Sequence, residues 1–225
     1  MNAPLLYIGG RWTDTERSLS VTNPADGGVF CRVPLGDAAL LEEATRAAHT
    51  AFSEHRQATA AVRSGHLRAL AAAVETRAEA FATTIQREAG KPIALARAEV
   101  QRALSTFTLA AEEARQPHGE LLALDASAAG AGHHGMVRRF PLGVVAAVTP
   151  FNFPLNLVAH KVGPALAAGN SVVVKPSPRT PLSALLLAEA AEAAGLPPGL
   201  LNVVTCSNAD VAPWLADTRI RMLSF

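Results

Sequence analysis

The chain is poor in the residues that mark disulfide scaffolds, membrane spans and nucleic-acid binders. Only two cysteines, Cys31 and Cys206, occur in 225 residues. Far apart and in no metal-ligand spacing, they exclude a disulfide framework and a zinc site, and read as free thiols in a reducing compartment. Charge is modest and balanced: 17% of residues are charged and the formal net charge is +1. Lysine and arginine are spread along the chain and no acidic tail occurs, so nucleic acid is not an expected partner. Aromatics make up only 5%, but 49% of residues are hydrophobic, which favours a packed core over disorder. Long apolar runs are missing as well. The most apolar zone, Leu142 to Val174, is broken by Pro150, Pro154, Gly163, Pro164 and Gly169, leaving no stretch able to cross a bilayer. The opening MNAPLLYIGGRWTD lacks the charged start and sustained apolar run of a signal peptide. A soluble, cytoplasmic protein without a membrane partner is expected. Its length fits one large domain, or one domain with a smaller companion.

What is present falls into two rhythms. YIGGRW reads as a hairpin turning at Gly9-Gly10, and SVTNPADGGVFCRVP as strand, turn and strand. Ala-rich helical sequence follows. Asp37 suits the N-cap of a helix through about Phe52. A second helical stretch runs from Ala60 towards Glu88 and stops at Gly90, and a third from Ile93 to Ala114. ELLALD and HGMVRRF, joined by ASAAGAG, predict a β-ribbon over residues 119–141. Its unpaired edges suit a partner subunit, and a loosely ordered surface hairpin is the alternative. From Gly143 the pattern is strand, helix, strand, helix. GVVAAVT, SVVVK, LNVVT and IRMLSF are the strands; Pro154 to Ala168, Pro181 to Ala194 and Ala209 to Ala216 are the helices. Continuous apolar strands alternating with helices predict an α/β fold, with a Rossmann-like parallel sheet covered on both faces.

Ligands of such sheets bind beyond the carboxyl ends of the strands. That rule selects Thr149 to Phe153, Lys175 to Arg179 and Cys206 to Asn208, with Phe225 ending the fourth strand. Asn152, flanked by Phe151 and Phe153, is a turn former or a hydrogen-bond donor. The helix beginning near Pro154 would point its positive end into the same crevice, which suits a developing oxyanion. Lys175 reaches a ligand or solvent, and Ser177 offers its hydroxyl to a ligand or caps its own turn. Pro176 and Pro178 stiffen that turn. Cys206, with no basic partner evident in the sequence, reads as a buried thiol. His133 and His134 fall in the ribbon, and His160 and Lys161 in a helix. EAGKP, residues 88–92, lacks the spacing of a phosphate loop and reads as a helix C-cap.

Taken together, YIGGRW, VTNPADGGV, REAGKP, PLGVVAAVTPFNFPLNLVAHKVGPALAAGNSVVVKPSPRTPLSA, LLNVVT and the closing MLSF resemble the aldehyde dehydrogenase superfamily over nearly the whole chain. The resemblance implies a cysteine thiolate that adds to an aldehyde, hydride transfer to NAD or NADP, and hydrolysis of the thioester by glutamate-activated water. It implies that Asn152 donates its amide to the oxyanion, that Lys175 holds the adenosine ribose, and that Thr149, Pro150 and Phe151 line the cofactor pocket. Ser177, Pro178 and Phe225 complete the expected cofactor-binding set. The aldehyde and a homo-oligomer formed through the ribbon are the implied partners.

The sequence departs from the family pattern at three places. Pro178 stands where NAD-preferring members usually carry a glutamate, and Arg179 follows it, so NADP is expected to be tolerated or preferred. Cys206-Ser207-Asn208 replaces frequent glycines and would crowd the cofactor. The family's catalytic glutamate and cysteine have no counterpart up to Phe225. The expected organisation is therefore 1–118 as N-terminal strands and helices of the cofactor-binding domain, 119–141 as the oligomerisation arm, and 142–225 as the dinucleotide-binding part. The catalytic domain is absent, and no aldehyde oxidation by this chain alone is expected. A non-catalytic nucleotide-binding or interaction module is the alternative, with a related acyl-phosphate reductase behind it.

Overall fold

The computed structural model describes residues 4–116 and 119–225. Pro117 and His118, at the expected boundary before the ribbon, lie outside the described residues, as do Met1 to Ala3 of the opening stretch. The first half contains strands β1 (Leu6–Ile8), β2 (Arg11–Thr13), β3 (Ser18–Thr22) and β4 (Val29–Pro34). Helices α1 (Ala38–His55), α2 (Ala60–Glu75), α3 (Ala78–Ala89) and α4 (Ile93–Glu113) follow. The ribbon is β5 (Gly119–Leu122) and β6 (Gly135–Arg138). The second half runs β7 (Val144–Val148), α5 (Asn156–Ala167), β8 (Ser171–Lys175), α6 (Leu182–Ala193), β9 (Leu201–Val203), a 3-10 segment (Ala209–Leu215) and β10 (Ile220–Ser224).

Six strands form one sheet in the order β10-β7-β8-β9-β1-β2. β10, β7, β8 and β9 are parallel, as the strand–helix rhythm predicts. The N-terminal hairpin is not a separate feature: β1 joins β9 antiparallel, with Tyr7 opposite Val203. The sheet is therefore mixed. Side chains alternate between its faces. Val144, Ala146 and Val173 pack with Leu41, Ala44 and Ala48 of α1, while Val145, Ala147, Val172 and Val174 pack with α4, α5 and α6. Burial on both faces is what lets these strands be continuous apolar runs.

The helical half shows one departure from the sequence reading. The stretch from Ala60 to Glu88 is two helices broken at Thr76 and Arg77, not one. No glycine or proline marks the break. The bend lets Leu67, Leu70 and Val74 before it, and Phe81 and Ile85 after it, all enter a single core, so burial outweighs uniform helix propensity. Asp37 caps α1 as expected, its carboxylate accepting from the Leu40 amide. Gly90 ends α3 in the left-handed region at φ 67°, where a side chain would be strained. β5 and β6 pair antiparallel, with Leu121 and Met136 opposite each other and exposed.

Candidate active site at the carboxyl ends of the strands

α5 and α6 carry the chain from β7 to β8 and on to β9 across one face of the sheet. The 3-10 segment then crosses the other face, where Trp214 packs with α1 and its indole N–H donates to Thr45 Oγ1 at 3.1 Å. β10 thus lands beside β7 on the side away from β8. Sheet growth reverses between β7 and β10, the position where open α/β sheets leave a crevice for ligands. Thr149 to Phe153 follow β7 at this reversal and Phe225 follows β10. Lys175 ends the neighbouring β8, in register with Val148.

Thr149 is buried, and its N–H donates to the Lys175 carbonyl at 3.2 Å, extending the ladder into the loop. Pro150, Phe151 and Asn152 then turn outward. Asn152 is exposed, and its side chain has no hydrogen-bond partner among the described residues. Phe151 is exposed beneath the Arg179 guanidinium, 5.0 Å from the ring centroid. The two loops touch again where the Thr180 hydroxyl donates to the Phe151 carbonyl at 3.4 Å. Ser177 is buried and its Oγ accepts from the Arg179 N–H, so it caps its own turn beside the half-buried Pro178. Phe225 is 95% exposed.

Lys175 differs from both readings offered by the sequence. It neither reaches solvent nor stands open: the residue is 2% exposed and its Nζ donates to Asn208 Oδ1 at 2.6 Å. Burial lowers its pKa, against the pull of Cys206 and Asp210. Asn208, one of the residues replacing glycine, thus occupies the ammonium directly. The ribose hydroxyls that a lysine here would hold can share or replace that amide oxygen, so the residues fit a dinucleotide at the cost of one short hydrogen bond. Cys206 has a basic neighbour after all, because β8 and β9 end side by side. Burial still dominates, with Asp210 and Asp37 adding to it, and the thiol is pushed up to about 11 despite Lys175. It is no nucleophile at neutral pH. Cys31 is raised too, chiefly by burial.

The helix start beside Asn152 also departs from expectation. α5 begins at Asn156 rather than Pro154, and its first amides are not free to meet a ligand. The Leu155 and Asn156 N–H groups donate to Glu99 Oε1 at 3.0 and 3.1 Å. Glu99 lies on α4, 1% exposed, and its other oxygen accepts from Lys91 Nζ at 2.5 Å. Lys91 in turn sits 3.7 Å from the Phe153 ring centroid. α6 is treated the same way. The Leu182 and Ser183 N–H groups donate to Glu88 at 2.7 and 3.0 Å, and the Ser183 hydroxyl donates to it as well. Glu88, 2% exposed, has its pKa raised to about 7; burial outweighs these donors and Glu99 adds to it. Glu88 and Lys91 belong to the segment read as a plain helix cap. No sequence signal marked either glutamate, because the amides they serve lie 56 to 95 residues away. His133 and His134 are exposed in the ribbon, and His160 is exposed on α5, where Lys161 donates to Ser224 Oγ at 3.1 Å.

The sequence profile of the aldehyde dehydrogenase family matches residues 12–225, and the chain belongs to that family. It is 37% identical over 225 residues to the 3-sulfolactaldehyde dehydrogenase of Priestia aryabhattai, covering 98% of this chain and 46% of the relative. An aldehyde dehydrogenase of Physcomitrella patens, solved with the reaction product succinate, superposes at a TM-score of 0.94 with 39% identity over 99% of this chain and 47% of that one. The NADP-dependent glyceraldehyde-3-phosphate dehydrogenase of Bacillus halodurans, complexed with NADP, gives 0.93 and 33% over 100% and 48%. The chain therefore spans about half the length of the relatives it matches. Among the described residues, no helix is long and apolar enough to cross a membrane.

Proposed function

We propose that this chain is the cofactor-binding part of an NAD(P)-dependent aldehyde dehydrogenase that oxidises an aldehyde to a carboxylic acid in the cytoplasm. The observation carrying this reading is that an exposed Asn152 amide, without a hydrogen-bond partner among the described residues, and a buried Lys175 stand at the ends of adjacent strands. Lys175 and Ser177 hold the adenosine ribose, and Thr149, Pro150, Phe151, Pro178 and Phe225 line the strip along which the dinucleotide lies. The cofactor supplies the hydride acceptor. Asn152 donates its amide to the carbonyl oxygen as negative charge develops, a contribution of about 2.7–4 kcal/mol to barrier lowering for one such donor. No carboxylate stands beside the ribose site on the β8 loop; Pro178 and the Arg179 guanidinium are there instead, so the 2′-phosphate of NADP is accepted. The ribbon joins copies of the subunit into an oligomer, and the division at residues 118 and 141 separates it from the two parts of the cofactor-binding domain.

Calorimetric titration of the 225-residue chain with AMP, NAD+ and NADP+ tests this reading. Binding should weaken at least tenfold in Lys175→Met, with NADP+ bound no worse than NAD+. A folded chain that binds none of the three overturns the cofactor assignment, and strong discrimination against NADP+ overturns the role given to Pro178 and Arg179.

The thiols favour a second reading of this polypeptide on its own, as a nucleotide-binding module without chemistry. Cys206 is buried with its thiol pushed up to about 11, and Cys31 is raised by burial, so neither supplies the thiolate that aldehyde oxidation needs. Purified chain should neither oxidise simple aldehydes nor form a thioester. An acyl-enzyme trapped on Cys31 or Cys206 would refute this.

A further inference from the structure

The proposed function leaves two buried carboxylates without a role. We propose that Glu99 and Glu88 are positioning residues: Glu99 fixes the loop that carries Asn152, and Glu88 fixes the loop that follows Lys175 and carries Ser177. The inference rests on the reading that these loops form the site.

Each loop is held at both ends by different means. At its start the sheet holds it: Thr149 N–H donates to the Lys175 carbonyl, and Val204 N–H donates to the carbonyl of Val174, the next-to-last residue of β8. At its finish no sheet is available. A helix start has orphan amides, and the first helical residues of α5 and α6 receive no side-chain cap from their own N-cap residues. Leu155 and Pro181, at those cap positions, have no oxygen in their side chains to offer. The missing acceptor comes from the helical half in both cases. Glu99 takes the amides of Leu155 and Asn156, and Glu88 those of Leu182 and Ser183.

Glu99 takes hold three residues after Asn152, and Lys91 locks the same corner by pairing with Glu99 and covering Phe153. Asn152 makes no hydrogen bond of its own among the described residues, so its place is set by the backbone on either side. Glu88 closes the other loop, whose interior is tied by Ser177 Oγ accepting from Arg179 and by the Thr180 N–H donating to the Ser177 carbonyl. Two carboxylates at the end of α3 and in α4 thereby clamp the two edges of one crevice. A merely stabilising role predicts that loss of either affects the whole molecule alike; positioning predicts two separate local effects.

Amide hydrogen exchange and AMP titration on the 225-residue chain separate these outcomes. Glu99→Ala should accelerate exchange at Leu155 and Asn156 at least tenfold more than at Leu182 and Ser183. Glu88→Ala should do the reverse, exposing Leu182 and Ser183 and weakening AMP about tenfold. Glu99→Gln, whose amide oxygen can still accept both N–H groups, should restore protection at Leu155 and Asn156. If either alanine variant fails to fold, its glutamine counterpart is compared with wild type at the same four amides: Glu99→Gln should retain protection, whereas Glu88→Gln, which must turn one N–H towards its donors, should lose it at one of the two α6 amides only. Exchange that rises equally at both loops in either variant overturns the proposal. Failure of even the wild type to bind AMP sinks the cofactor reading instead, while the exchange pattern still decides the positioning roles.

Discussion

The loops after β7 and β8 are built alike and charged differently. Both leave a parallel strand, turn through prolines and enter a helix whose first amides are taken by a buried glutamate. Glu99 has a cation: Lys91 is 2.5 Å away and 18% exposed at its side chain. Glu88 has only dipoles, two backbone N–H groups and the Ser183 hydroxyl. One clamp is an ion pair and the other a titratable acid. The same geometry can thus be held by a charge neutralised locally or by one that gives way as a proton arrives.

The sharpest way to break the comparison is to remove the paired carboxylate. Glu99→Ala strands Lys91 and leaves two buried amides without an acceptor, and should lower stability by about 3–5 kcal/mol. A urea midpoint shift at unchanged slope measures it; a loss below about 1 kcal/mol would mean that water replaces the carboxylate. Next in size is Lys91→Met, which turns the first loop into a copy of the second. It should cost about 1.5–3 kcal/mol near neutral pH. A cost below about 0.5 kcal/mol would show that the pairing with Glu99 contributes nothing beyond the packing on Phe153, which Met can replace.

Glu88 itself makes the next smaller contribution. Its folded-state pKa of about 7 lies above the ordinary value of 4.5, so the fold favours the protonated acid. Its contribution to stability is full below about pH 4.5 and is lost as pH rises towards 7, at no more than about 1.4 kcal/mol per pH unit. Glu99 and Cys31 are the other titratable groups that act on or feel it most directly. Urea midpoints between pH 5 and 8 should fall with rising pH in wild type and flatten across that window in Glu88→Gln. Equal slopes in both proteins would remove Glu88 as the cause. Smallest of all is Asn152→Ala. An exposed amide without a partner among the described residues should change stability by less than about 0.5 kcal/mol, and thermal melting that shows a larger loss would reveal a structural duty for a group assigned to ligand.

The contrast also explains what the sequence could and could not reveal. Asp37 was legible as a cap because it serves an amide three residues away. The Gly9-Gly10 turn and the apolar strands GVVAAVT and SVVVK were legible for the same reason: their physics is local, or repeats along the chain. Glu88 reaches amides 94 and 95 residues away, and Glu99 those 56 and 57 away. Nothing near either glutamate in the sequence distinguishes it from a solvated helix residue. Lys175 stands at its strand end as expected, but its Nζ partner, Asn208, lies 33 residues further on, beyond the neighbouring strand, so its state was not readable. The break at Thr76 was hidden because neither half carries a helix breaker and only the shared core requires the bend.

The edge pairing of β1 with β9 bears on how the molecule is made. Tyr7 finds Val203, so the sheet neighbour of this early hairpin is not available until the chain has been made as far as β9. At ordinary translation rates that wait is roughly ten to forty seconds. During it Leu6 and Ile8 have α1 to rest on, through Leu41, Ala44 and Ala48 of their shared cluster, so the helix behind this strand is made long before the strand beside it.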